Sequence, residues 1–157
     1  MKILIVGIVA SGKTTLAKKL SKLLGIKHYE IDSVVHDDVN NVKRSEKEQK
    51  KIFNEINRED NWIIEGTLRK HLFYLCNMAD KIIYLDIPLN IRKRRIFTRF
   101  IKQLFGTEQS NYEVNLKMLK MMYKWTDDFE KNRSDFERQL FTYSDKIIIV
   151  DDLKLML

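Results

Sequence analysis

The chain has 157 residues, of which 44% are hydrophobic and 32% charged, and its net charge is +7. This is the profile of an ordinary soluble globular protein, and the length predicts one domain over residues 1–157. A single cysteine, Cys76, excludes an internal disulfide and fits a cytoplasmic setting. No apolar run approaches the roughly 18 residues of a membrane span, so no membrane partner is expected. The positive charge favours an anionic partner: a nucleotide, a phosphorylated substrate or a nucleic acid.

Strand and helix patterns alternate along the chain. Near-continuous apolar runs predict five buried strands, at residues 3–6, 27–31, 62–64, 82–85 and 147–150. Helical patterns separate them, at residues 13–24, 45–56, 67–78, 89–105 and 112–140. The last pattern is long enough to predict a break near residues 131–134. The alternation predicts an α/β fold whose parallel sheet is covered on both faces.

The first strand runs into residues 7–14, GIVASGKT, which fit the phosphate-loop pattern G-x-x-x-x-G-K-[ST]. Its glycines let backbone N–H groups approach a phosphate chain, and the following helix adds its positive N-terminal end. Lys13 can reach the β- and γ-phosphates, and the Thr14 hydroxyl can bind Mg²⁺. The pattern therefore predicts ATP and Mg²⁺ as cofactors. The predicted ATP-binding residues of the loop are Gly7, Ala10, Ser11, Gly12, Lys13, Thr14 and Thr15.

Three carboxylates, Asp32, Glu65 and Asp86, follow predicted strands at the edge of the sheet where a phosphoryl-transfer site needs a group that orients Mg²⁺. The alternative for each is a capping role in the next helix or turn. We favour Glu65 for the metal and expect Asp32 to accept a hydrogen bond from an acceptor hydroxyl. The role of Asp86 stays open, because Asp-x-Pro is also a good turn.

The helix predicted at residues 89–105 carries a basic stripe. Its members are Arg92, Arg95, Arg99 and Lys102. At 100° per residue they lie within about 80° of one another, with the apolar residues facing the other way. The stripe begins at the carboxyl end of a strand, where open α/β sheets bind ligands, so we expect at least one arginine to contact phosphate. The alternative is a solvated basic face.

Three segments together resemble the adenylate-kinase-like group of small P-loop kinases: the N-terminal loop, residues 65–69 (EGTLR) and residues 86–88 (DIP). The resemblance implies a P-loop NTPase fold of three α/β/α layers, with a five-stranded parallel sheet of order 2-3-1-4-5. It implies that Glu65 helps to hold the waters of Mg²⁺ and that Arg69 binds the acceptor phosphate. It also places Arg95 near the adenine and Arg99 near the phosphates.

The chain departs from adenylate kinases in two places. Residues 67–68 replace the F-P of their G-F-P-R sequence, and residues 106–111 are too few for a large lid. In length, in residues 62–66 and in its basic helix the chain is more similar to bacterial proteins called DNA topology modulation proteins. That name describes a role rather than a reaction.

The sequence thus predicts a kinase that transfers the γ-phosphoryl group of ATP to a small acceptor such as a nucleotide. The predicted catalytic residues are Lys13, Glu65, Arg95 and Arg99, and the predicted acceptor residues are Asp32 and Arg69. One alternative is a DNA-associated NTPase or regulator that affects DNA topology, motivated by the basic stripe and the net charge. Another is a nucleotide sensor without turnover. No pattern indicates the oligomeric state.

Overall fold

The structure, a computed structural model, describes residues 1–37, 42–108 and 113–152. Its main sheet consists of the parallel strands β1 (Lys2–Gly7), β2 (His28–Glu30), β5 (Trp62–Gly66), β6 (Lys81–Leu85) and β7 (Ile147–Val150). Their order is β2-β5-β1-β6-β7. This is the predicted order 2-3-1-4-5 with the numbering shifted by an antiparallel pair that the sequence did not predict, β3 (His36–Asp37) and β4 (Val42–Lys43).

The described residues form six α-helices: α1 (Lys13–Leu24), α2 (Ile31–Val35), α3 (Glu46–Ile56), α4 (Tyr74–Met78), α5 (Leu89–Leu104) and α6 (Leu116–Leu140). Short 3-10 turns precede α4 and follow α6, at Lys70–Leu72 and Phe141–Lys146. Two helix boundaries have local causes in the sequence. Gly25 ends α1 with a left-handed φ of 66°, and Ser45 starts α3 through a capping box with Glu48.

The sheet lies between two helical layers because successive side chains of a strand point to opposite faces. In β1, Ile3 and Ile5 belong to the core beneath α1, whereas Leu4 and Val6 belong to the core shared with α2, α3 and α4. The predicted three-layer arrangement is therefore present. At the edge strand β7, Ile148 and Ile149 are both exposed.

The continuous helix predicted at residues 67–78 is wrong. Residues 67–69 contain no helix, and the regular structure is divided between the 3-10 turn and α4. The physical reason lies at Thr67, whose hydroxyl donates a 3.3 Å hydrogen bond to the carbonyl oxygen of Gly7. This contact ties the chain to the phosphate loop before any helix begins.

The break predicted near residues 131–134 is also wrong, because α6 continues for 25 residues. Arg133, in the middle of the predicted break, bonds to Glu130 and Glu137 of the same helix. The helix begins after Asn115, whose side chain caps the N–H of Met118 at 2.8 Å. The helix start predicted at residue 112 and part of the loop predicted at residues 106–111 fall on residues 109–112, which lie outside the described part of the chain.

Candidate active site

The phosphate loop joins β1 to α1 in a conformation that needs its small residues. A Cβ on Gly7 would lie 2.7 Å from the Ser11 hydroxyl, so a side chain there would collide with the loop. Gly12 has φ 97°, and Ala10 adopts a left-handed φ of 59°, which costs an L-residue about 1–2 kcal/mol. Left-handed residues within such a turn direct backbone N–H groups into one concavity. The loop therefore has the shape of an anion cradle.

Lys13 lies at the end of this loop, at the first residue of α1. Its half-buried ammonium donates a 3.0 Å hydrogen bond to the carbonyl oxygen of Ile8. Burial lowers the pKa of Lys13 because removal of water disfavours the charged form, while the nearby carboxylates of Glu65 and Asp32 act in the opposite direction. The lysine is thus a poorly hydrated cation beside the cradle.

Thr14 and Glu65 join the loop to the neighbouring strand. The Thr14 hydroxyl donates a 2.5 Å hydrogen bond to the Glu65 carboxylate, which is only 3% exposed. Burial raises the pKa of Glu65, opposed by the hydrogen bond from Thr14 and by the charge of Lys13. Glu65 lies opposite Ile5 of β1, at the carboxyl end of β5. A hydroxyl and a carboxylate side by side are oxygen ligands of the kind that Mg²⁺ accepts.

Asp86 does not belong to this group. Its carboxylate accepts a hydrogen bond from Arg133 of α6, and its own N–H donates to the Val150 carbonyl oxygen at 2.9 Å. Asp86 thus joins the end of β6 to α6 and β7.

Arg95 of α5 reaches the phosphate loop across more than 80 residues of chain. Its guanidinium donates to the carbonyl oxygens of Ala10 at 3.3 Å and Ser11 at 3.2 Å. Arg99, one turn later, pairs with Glu108 at 3.2 Å, and its charge contributes to the lowered pKa of Lys13. Both arginines therefore lie on the loop side of α5.

The predicted basic stripe is divided. Arg92 is fully buried, donates to the Ile87 carbonyl oxygen at 2.8 Å and pairs with Glu130 of α6. On the same helix Phe97 is 52% and Leu104 is 53% exposed. The stripe fails as a continuous basic face because α5 packs against α6, which supplies a carboxylate partner for Arg92.

A cleft of about 800 Å³ lies beside the loop, between α5 and the residues that follow β7. Its charged lining includes Arg95, Arg99, Asp151 and Asp152. Ligand pockets commonly have volumes of about 300–1,000 Å³, so the cleft has room for a nucleoside.

The opposite side of the loop is formed by α2 and the turn after β5. Arg69 pairs with the carboxylate of Asp32 at 3.1 Å, and its other terminal nitrogen is buried without a hydrogen-bond partner among the described residues. Asp32 also acts electrostatically on Lys13 and Glu65, so both predicted acceptor residues lie near the phosphate loop. A Cβ on Gly66 would lie 2.6 Å from the Cβ of Ile31, which shows how closely α2 packs on β5.

Sequence reasoning missed Arg44, which holds this side together. One guanidinium nitrogen of Arg44 donates to the carbonyl oxygens of Ser33 at 2.8 Å, Val34 at 3.1 Å and His36 at 2.7 Å. These carbonyls belong to the end of α2, so Arg44 stabilises the helix that carries Asp32. No motif in the sequence indicates such a contact.

A phosphate loop after the first strand, with a carboxylate at the end of the adjacent strand of a 2-3-1-4-5 sheet, is the arrangement of P-loop kinases. The protein is accordingly a phosphotransferase of the small-molecule kinase type. A family model described as an AAA domain, AAA_18, matches residues 3–103, and the chain belongs to this family.

Known proteins agree with this class. Cytidylate kinase of Sulfolobus acidocaldarius is 36% identical over 142 residues, covering 74% of this chain and 75% of that protein. Shikimate kinase from Bacteroides thetaiotaomicron has a similar structure, with a TM-score of 0.58 and 16% identity over 96% of this chain and 85% of that one. Deoxyadenosine kinase from M. mycoides with bound dATP matches with a TM-score of 0.53 and 17% identity, covering 99% of this chain and 94% of that one. The two structures share the fold.

The described residues contain neither a membrane-spanning helix nor a metal-binding cluster of side chains. None of their helices is both long enough and apolar enough to cross a bilayer. Residues 1–37, 42–108 and 113–152 also contain no cluster of three or more His, Cys, Asp or Glu side chains placed to hold a metal ion.

Proposed function

We propose that the protein transfers the γ-phosphoryl group of ATP to a pyrimidine nucleoside monophosphate in the cytoplasm, with residues 1–157 acting as one catalytic domain. The observation that carries the proposal is the position of Arg69. Its guanidinium pairs with Asp32, whose charge acts on Lys13 and Glu65, and one of its terminal nitrogens has no hydrogen-bond partner among the described residues. A free guanidinium N–H at that place suits a phosphate on the acceptor. The identity to a cytidylate kinase supports a pyrimidine monophosphate.

The ATP side is assigned to the loop and α5. The backbone of Gly7, Ala10, Ser11, Gly12 and Thr15 would surround the phosphates, with Lys13 on the β- and γ-phosphates. Arg95 already contacts the loop backbone, and the cleft beside it would receive the adenosine. Arg99 would exchange Glu108 for a phosphate oxygen. An arginine on the transferring group contributes about 10³–10⁵ in rate.

Thr14 and Glu65 would hold Mg²⁺, Glu65 through water. The fit is supported by the 2.5 Å contact of hydroxyl and carboxylate, which places two oxygen ligands at the end of the cradle. When bound there, Mg²⁺ supplies neutralisation of charge on the β- and γ-phosphates. The residues themselves position the groups and keep water from the transferring phosphoryl, which is most of what this chemistry requires of a protein.

Asp32 and Arg69 are assigned to the acceptor. A phosphate on the acceptor would compete with Asp32 for the Arg69 guanidinium, and the released carboxylate could then bind a hydroxyl of the acceptor sugar. The pair would thus distinguish a phosphorylated acceptor from a neutral one, because a neutral molecule cannot displace Asp32.

The test is a panel of acceptors with purified protein, ATP and Mg²⁺, in which ADP and each phosphorylated product are separated by chromatography. CMP, dCMP, UMP, AMP and GMP form one arm, and cytidine and deoxycytidine form the matched unphosphorylated arm. We expect CDP or UDP from the first arm, at a rate that Lys13→Ala reduces to background. If only the nucleosides are phosphorylated, the acceptor group is a nucleoside hydroxyl and not the phosphate of a monophosphate. If neither arm is phosphorylated, the nucleotide sensor is favoured.

The DNA-associated alternative has no comparable support. It rests on a continuous basic face, and the structure buries Arg92 against Glu130 and pairs Arg99 with Glu108. A kinase forms product without DNA, whereas a DNA-dependent NTPase requires duplex and loses affinity steeply with salt, by about 0.9 in logarithmic slope for each neutralised phosphate. The same panel, repeated with and without duplex DNA, separates the two.

A further inference from the structure

Helix α5 carries Arg95 to the phosphate loop but is held mainly by another helix. It packs chiefly against α6 rather than against a strand of the sheet. Of its three buried side chains only Ile96 is apolar; the others are Arg92 and Gln103. Apolar packing onto the sheet therefore does little to fix where Arg95 lies.

Arg92 supplies a polar attachment in place of that packing. It is fully buried, its Nε donates to the carbonyl oxygen of Ile87 before the helix, and one terminal nitrogen pairs with Glu130. Its guanidinium also lies 6.0 Å from the centre of the Phe129 ring. These contacts join the start of α5 to both the end of β6 and the middle of α6.

Glu130 is itself fixed to the sheet. Both of its carboxylate oxygens accept hydrogen bonds from Arg133 at 3.1 Å, and Arg133 also pairs with Asp86 at the end of β6. Asp86, Arg133, Glu130 and Arg92 thus form a series of three ion pairs that alternates two anions and two cations. We call these four residues the α5–α6 ion network.

We infer that the Arg92–Glu130 pair of this network positions Arg95 on the phosphate loop, and that Arg92 is a positioning residue for the ATP side of the reaction. The inference rests on the proposed function. Residues three apart in a helix lie on nearly the same face, one turn apart, so anchoring Arg92 fixes the rotation and height of Arg95. A slide of α5 along α6 would separate a buried charge from its partner, which is strongly unfavourable. The Arg92–Glu130 pair therefore fixes one position of α5 along α6.

A neighbouring contact provides a matched control. Lys93 pairs with Asp127 at 2.7 Å and joins the same two helices, but both side chains are substantially exposed. An exposed pair adds little to stability. It also allows α5 to slide along α6 at little cost, since its charges remain hydrated when they separate. If any link between the helices positioned Arg95, loss of this one would also weaken ATP binding.

The experiment compares the full-length wild type with the paired variant Arg92→Met/Glu130→Leu, with Arg92→Lys and with Lys93→Met. Removal of both charges leaves neither one buried alone, so the paired variant is expected to fold. ATP affinity is measured by calorimetry and KM for ATP and CMP by steady-state kinetics, with thermal unfolding as a check. We expect the paired variant to weaken ATP binding about tenfold or more, with KM for CMP changed less than about twofold.

Arg92→Lys keeps the charge but loses the two separate donors that reach Ile87 and Glu130, and we expect an ATP affinity between those of the wild type and the paired variant. Lys93→Met should behave as the wild type. ATP affinity unchanged in the paired variant, or lost equally in Lys93→Met, overturns the inference. If the paired variant does not fold, Arg92→Lys decides: weaker ATP binding at an unchanged unfolding temperature supports the inference, and unchanged binding overturns it.

The proposed function fails separately. If the wild type binds ATP and phosphorylates none of the acceptors, the acceptor assignment is lost while calorimetry still decides the role of Arg92. If the wild type does not bind ATP, the proposed function and the inference are both wrong.

Discussion

Asp32 and Arg69 form a 3.1 Å ion pair across 37 residues of chain, beside the end of the phosphate loop. The Asp32 side chain is 65% exposed, so the pair itself adds little to stability. An acceptor phosphate would have to compete with Asp32, because the carboxylate occupies a guanidinium nitrogen of Arg69 that the phosphate would use. Under the proposed function, the pair would therefore separate phosphorylated acceptors from neutral ones.

The first prediction is that Asp32→Asn lowers KM for a nucleoside monophosphate, by about threefold to tenfold, with little change in kcat. The neutral amide competes less well than a carboxylate for the guanidinium. Arg69→Met should raise the same KM, and Glu55→Gln, an exposed site on α3, should leave it unchanged. A fall in kcat of about 10²-fold or more in Asp32→Asn would instead indicate that Asp32 acts as a base on an acceptor hydroxyl.

The second prediction concerns Lys13. Lys13→Met should weaken ATP binding about 30-fold or more, which corresponds to loss of a charged contact of about 2 kcal/mol. Calorimetry with ATP measures this directly. Lys18→Met removes an exposed lysine from the same helix and should retain wild-type affinity. Equal ATP affinity in the wild type and Lys13→Met would contradict the assignment of the loop.

The third prediction follows from burial of Glu65, which raises its pKa. The carboxylate form is needed to hold Mg²⁺, so kcat/KM should fall as the pH drops through a pKa above that of an ordinary glutamate. The stability of the protein depends on the pH in the opposite direction. A raised folded-state pKa means that folding favours the protonated form, so the contribution is present at low pH and is lost as the pH rises through that pKa.

Glu65→Gln tests both parts. Without metal or nucleotide, its unfolding temperature should exceed that of the wild type increasingly as the pH rises, while its kcat/KM is low at every pH. The measurements are a pH series of thermal unfolding and of initial rates. A wild-type acid limb that persists in Glu65→Gln would assign that limb to another group.

The fourth prediction connects the core to the acceptor side. Gly66→Ala places a methyl group 2.6 Å from the Cβ of Ile31, so α2 and Asp32 must shift. We expect a loss of about 1–3 kcal/mol in the free energy of unfolding and a raised KM for the acceptor. Gly25→Ala is the comparison, since its φ is 66° but no atom lies within 4 Å of a new Cβ. It should cost about 1 kcal/mol, without a change in KM.

Local signals in the sequence predicted much of the fold. The Ser45 capping box, Gly25 and the apolar strands specify their structure within a few residues, and the phosphate loop carries its function in its own pattern. The adjacency of Glu65 and Thr14 was predicted from the resemblance to kinases and from a shared sheet edge, and it is present at 2.5 Å.

The failures concern partners distant in sequence. The sequence placed Arg92 on a basic stripe that faces either phosphate or solvent, because helical periodicity does not show that Glu130 will lie against it. The break predicted in α6 is wrong because it was inferred only from the length of the helical pattern. In the structure Arg133 bonds to Glu137 of the same helix and to Asp86 outside it. Long-range partners decide these cases.

The central position of β1 has a consequence for synthesis of the chain. This strand is synthesised before its neighbours in the sheet, β5 and β6, which end at Gly66 and Leu85. The nascent phosphate loop therefore has no adjacent strands until the chain has been synthesised as far as Leu85. Such non-local pairing slows folding and leaves an apolar strand temporarily unprotected. We expect the growing chain to depend on chaperones until β6 is available.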